Sequence, residues 1–151
     1  MSWTSITVAD LKDTKIADLV TACQEAGLGA EQTDPLLRII ANVVARIRAE
    51  VASCSANSLD ADTTTIPADL KSLACRMIVR EGMSRLQLDL NEDEREEQRN
   101  DLRYLERISE GKVKVAETDN PLTTEEVQAT SGTPRLTARP RRFGREHEDG
   151  I

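Results

Sequence analysis

Aromatic residues are almost missing from this chain of 151 residues: Trp3, Tyr104 and Phe143 are the only three. Any core must therefore be aliphatic, and a row of stacked rings for single-stranded nucleic acid cannot be built. Histidine is scarcer still. His147 stands alone, so one chain offers neither a His-based catalytic pair nor a His-rich metal site. The three cysteines, Cys23, Cys54 and Cys75, lack the close spacing of a redox or zinc motif, and each falls in or beside an apolar helical pattern. They read as reduced core residues.

Long apolar runs are also lacking. No stretch approaches the roughly 20 apolar residues of a membrane span, and the start has no basic segment leading into an apolar one, so neither membrane attachment nor a secretory signal is expected. No glycine-rich phosphate loop occurs, and Gly27-Leu28-Gly29 has no strand before it. Paired carboxylates sit in the run from Glu92 to Glu97, which reads as a solvated face. These absences point away from an enzyme and call for no cofactor and no metal.

What the chain has in quantity is charge. There are 27 acidic and 20 basic side chains, for a net charge of −7. The balance is uneven: residues 1–132 carry −9, whereas residues 133–151 carry five arginines against Glu146, Glu148 and Asp149. An acidic body that repels phosphate backbones and anionic membranes thus ends in a basic tail.

Helical periodicity organises the body. Thr7 and Asp10 are spaced as a cap for a short helix, and Thr14 is placed to cap a second one carrying Ile16, Leu19, Val20 and Cys23, with Gly27 and Gly29 at its end. Asp34-Pro35 is a strong helix start. From there Leu36, Ile40, Val43, Ile47 and Val51 form a stripe to about Ser53, defining a long central helix. The polar stretch from Ser53 to Ile66 reads as a loop, and Pro67 suits the first turn of the next helix. That helix carries one stripe of Leu70, Leu73, Ala74, Met77 and Ile78 and another of Cys75, Val79, Met83, Leu86 and Leu90. Two apolar sides suit burial within the bundle or a subunit interface.

Asn91 then caps a helix whose first three turns hold no aliphatic residue, with pairing expected between Glu92 and Arg95 and between Glu96 and Arg99. Leu102, Leu105 and Ile108 supply its anchoring stripe. Gly111 stops it, and Val113 and Val115 alternate with lysines as in a short edge strand near 112–116. The expected fold is all-α, a small helical bundle over residues 1–116, followed by an extended tail over 117–151. The tail has three prolines, six threonines and almost no apolar periodicity, too little to offset the cost of ordering it alone. Between Arg135 and Arg145 it holds five arginines, Leu136, Phe143 and no acid, a composition suited to docking on an acidic protein surface.

Several stretches, in order along the chain, resemble the head–tail adaptor proteins of Mu-like tailed bacteriophages, also called head-completion or neck proteins. They are Met1 to Leu11, the Asp34-Pro35 start with Val43 to Arg48, Thr65 to Lys71, Leu102 to Lys112, and the closing Arg139 to Arg145. The resemblance implies a structural virion protein, assembled as a ring, typically dodecameric, between capsid portal and tail, with the host cytoplasm as its site of assembly. Its implied partners are the portal, neighbouring adaptor subunits and a stopper or tail-side neck protein, while DNA passes through the channel without sequence-specific binding. It implies partner-binding roles for Arg139, Arg141, Arg142, Phe143 and Arg145. Glu92, Asp93, Glu96 and Glu97 become a lumen-facing or tail-facing charged surface. The alternative is a cytosolic DNA-binding or packaging accessory protein that grips phosphate through its arginine-rich tail.

Overall fold

The computed structural model of the chain describes residues 3–14, 17–25 and 34–122. These are mostly helical, as the periodicity predicts. Strand β1 (Trp3–Ser5) is followed by α1 (Val8–Thr14), α2 (Ala17–Glu25) and α3 (Pro35–Ser53); β2 (Thr65–Pro67), a 3-10 turn at Ala68–Leu70, α4 (Lys71–Arg85) and α5 (Glu92–Ser109) complete the order.

The start of α1 is a reciprocal cap. The Thr7 amide and hydroxyl both donate to the Asp10 carboxylate at 2.8 Å, which also meets the Lys71 ammonium at 2.7 Å and so ties α1 to α4. Thr14 is the last residue of α1; Ile16, Gly27 and Gly29 lie outside the described residues. Asp34 caps α3 through the Leu36 amide at 2.9 Å, with Pro35 in the first turn as expected.

Helix α3 is the hub, packing against α2, α4, α5 and β2. Its buried stripe runs through Leu36, Ile39, Val43, Val44, Ile47 and Val51, so Ile39 takes the inner position expected for Ile40, which is half-buried. The core is aliphatic apart from Trp3, and it includes Cys23 and Cys75. All three cysteines are free. At Gly82 α4 lies close against α2: a Cβ there would stand 2.8 Å from the Cys23 sulfur. Gly111, at φ +74°, turns the chain out of α5, where glycine has no steric penalty.

Four local expectations need correction. Residues 112–116 form no strand; Val113 and Val115 instead lie against the core as irregular chain. The sheet lies elsewhere, with β1 and β2 antiparallel and Trp3 opposite Pro67, Thr4 opposite Ile66 and Ser5 opposite Thr65. Pro67 therefore ends a strand rather than opening a helix, and α4 starts at Lys71. Helix α4 also stops at Arg85: Gln87 has φ 56°, so Leu86 and Leu90 do not continue its second stripe.

The loop between α3 and β2 is fixed by a buried cation. Arg48 donates to the carbonyls of Asp60, Asp62 and Thr65 at 2.7, 2.9 and 2.8 Å, and its guanidinium lies 5.1 Å from the centre of the Trp3 ring. Burial lowers its pKa, while Asp60 and Asp62 oppose that shift. A strap beyond α5 closes the same side: the Trp3 indole donates to the Ala116 carbonyl at 3.1 Å, Thr118 hydrogen-bonds the Asp60 carboxylate, and Pro121 bridges to Asp60. Residues 117–122, grouped by sequence with the tail, are thus fastened to the body.

Candidate functional site

The charged surface expected on α5 begins at a complete capping box. The Glu94 amide donates to the Asn91 side chain at 2.8 Å, and the Asn91 amide donates to the Glu94 carboxylate at 3.1 Å. Placing Glu92, Asp93 and Glu94 in this first turn sets three carboxylates against the positive end of the helix dipole. Glu92, Asp93, Glu96 and Glu97 are all exposed. They are not equivalent. Arg99 reaches back a further turn, to Glu92 at 3.4 Å, in place of the expected partner Glu96, and Glu97 meets Arg76 at 3.3 Å and Arg80 at 3.8 Å.

Glu97 belongs to a balanced cluster that joins α4 to α5. Arg76 and Arg80 both bind the Asp101 carboxylate, which is buried, and Glu97 supplies the second negative charge at the rim. The hydrogen bond to Asp101 raises the Arg76 pKa. With two cations matched by two anions, the cluster holds the helices together without presenting excess charge. Asp101 also takes the inward position where an aliphatic stripe would be expected, and Leu102 turns outward, 40% exposed. Leu105 and Ile108 keep the buried roles assigned to them.

That displacement opens a groove of about 990 Å³ between the end of α4, the turn 86–91 and α5. Its apolar lining comes from Met77, Leu88, Leu90 and Leu102, with Arg46 of α3 on one rim and Glu81 and Asp89 among its acids. Leu88 is 46% exposed. A smaller depression, also bordered by Arg46 and Leu102, continues along the α3–α5 seam. Sequence reasoning missed this groove because it placed Leu86 and Leu90 on a continuing helix. The signal was present: Asn91 followed by three acids announces a new helix and so requires a break just before it.

Among the described residues no group of His, Cys, Asp or Glu is arranged to hold a metal ion, and no helix is long and apolar enough to cross a membrane. Arg139, Arg141, Arg142, Phe143 and Arg145 lie outside the described residues. Compared with protein-family models, curated proteins and solved structures, the chain matches none of them.

Proposed function

We propose that this protein is a structural head–tail adaptor of a tailed bacteriophage, acting by ring assembly and docking rather than by catalysis. The observation that carries the reading is the exposed acidic face of α5 beside an open apolar groove, on a helical body in which the buried Arg80 and Asp101 are paired. Such a face suits a channel wall past which DNA slides without adhering, since carboxylates repel phosphates over about a Debye length. The groove gives a protein partner somewhere to bury apolar surface. The sequence resemblance supplies the partners: a portal on one side, neighbouring subunits around the ring, and a stopper or tail-side protein below.

The test is light scattering of the full-length protein and of a version ending at Gly132, each alone and with the portal of the same phage. A discrete, salt-tolerant complex formed only by the full-length chain is the expected result. Binding of neither form to portal, together with full-length binding to DNA that falls linearly on a log–log plot of affinity against salt, would replace this reading with that of a packaging accessory.

A further inference from the structure

The groove and the basic tail are complementary in three respects. Among the described residues nothing covers Leu88 and Leu102 in the groove, and the tail's one aromatic, Phe143, is an apolar anchor suited to such a surface. Asp89 lines the groove, and the adjoining first turns of α5 hold five further carboxylates against Arg95, with Glu92 and Glu97 already in ion pairs; Arg135 to Arg145 hold five cations and no acid. Arg46 and Arg95 are the cations that oppose such docking; Arg80 is already matched by Asp101. Arginine forks bind carboxylates in fixed geometry, so the acidic edge also offers a register.

The third respect is placement. The described chain leaves the body at Leu122, whose amide donates to the Leu59 carbonyl at 2.9 Å, on the side of α3 that Arg48 faces. Arg46, two residues away, borders the groove. Two residues turn a helix by about 200°, so exit and groove lie on opposite sides of α3. At about 3.3 Å per residue, the chain from Leu122 to Phe143 can span up to roughly 70 Å, well beyond the ~27 Å of α5.

We propose that this groove receives the Arg135 to Arg145 segment of a second copy of the chain. Phe143 occupies the space between Leu88, Leu90 and Leu102, and the arginines engage Asp89 and the first turns of α5. A donor and an acceptor on opposite sides of one protomer make a head-to-tail contact, which propagates and closes into a ring when the rotation allows. The inference rests on the docking role of the tail in the preceding reading but not on the virion role.

Complementation tests it. A tail variant (Phe143→Ala with Arg142→Glu) keeps its groove, and a groove variant (Leu88→Asp with Leu102→Asp) keeps its tail; both leucines are partly exposed, so the helical circular-dichroism signal should persist. Each variant alone should be monomeric, and an equimolar mixture should form a one-to-one dimer, because one working groove meets one working tail. A mixture that stays monomeric overturns the proposal, and so does a monomeric wild type whose own tail fills its own groove. In a second measurement, a labelled peptide of residues 133–151 should bind the tail variant and lose about thirtyfold in affinity when the peptide carries Phe143→Ala. Equal binding by the two peptides overturns the proposal even if the groove variant fails to fold. If the mixture stays monomeric while the groove variant still captures the portal, this contact fails and the adaptor reading stands.

Discussion

The two sides of α3 use arginine in opposite ways, although the residues concerned are only two positions apart. Arg48 turns into the protein, where three carbonyls and the Trp3 ring take up its donors and its charge, and the loop 54–64 follows its geometry. Arg46 stays exposed and borders an open groove with exposed leucines on its far wall. One side is closed by the strap that ends at Leu122, whereas the other has no such cover among the described residues. A cation that satisfies backbone groups is part of the fold, and one left at a rim is available to partners.

Substitution by methionine, which keeps the length of the side chain without its donors, separates the two roles. Arg48→Met strands three carbonyl acceptors and should lower stability by on the order of 3 kcal/mol, read as a lower urea midpoint, with Trp3 fluorescence shifting as its surroundings loosen. Arg46→Met should change stability by less than about 0.5 kcal/mol, as exposed substitutions commonly do. Equal losses would mean that the two sides are not distinct in the way their contacts indicate.

How far this contrast could be read from sequence depends on the kind of interaction. The helices α3 and α5 were legible because Asp34-Pro35 and Asn91 with its acids are local signals, and their caps form as those signals require. The sheet was not. Trp3 to Ser5 and Thr65 to Pro67 are three-residue strands far apart in the chain, and pairing between them leaves no periodic trace in either. Arg48 sits in a helical pattern that Arg46 shares, so only the folded loop reveals which of them is buried. The groove likewise depends on Asp101 occupying an inward position that the leucine spacing had assigned to the apolar stripe. The tail residues singled out by composition lie outside the described residues, and the groove offered as their acceptor came from the fold alone.

The strap provides a finer test of the closed side. Thr118 hydrogen-bonds the Asp60 carboxylate, whose other oxygen accepts the Asp62 amide at 2.8 Å. Thr118→Val keeps the shape but removes both the donor to the buried Asp60 carboxylate and the acceptor of the Asn120 amide, so a loss of about 1 kcal/mol is expected, with faster amide exchange at Ala61 and Leu122, whose amides join strap to loop. Exchange that quickens throughout the body instead would show that the strap holds the whole core and not one side of it.

A small effect is expected from the ion pair between α1 and α4, and its sign follows from linkage. Hydrogen bonds from Lys71 and Thr7 hold the Asp10 pKa down at about 2, from an ordinary value of 3.8. Because the folded pKa is the lower one, the unfolded chain takes up this proton first as acid is added. The contribution of Asp10 is therefore complete above the ordinary value and is lost as pH falls from about 3.8 through about 2. Asp10→Asn should lower the urea midpoint slightly at pH 6, and the gap from wild type should narrow across that acid window. The pair is partly exposed, so added salt should also shrink the gap at pH 6. A gap independent of both pH and salt would show that the loss does not come from the charge of Asp10, and would leave Lys71 without a measurable share in joining the two helices.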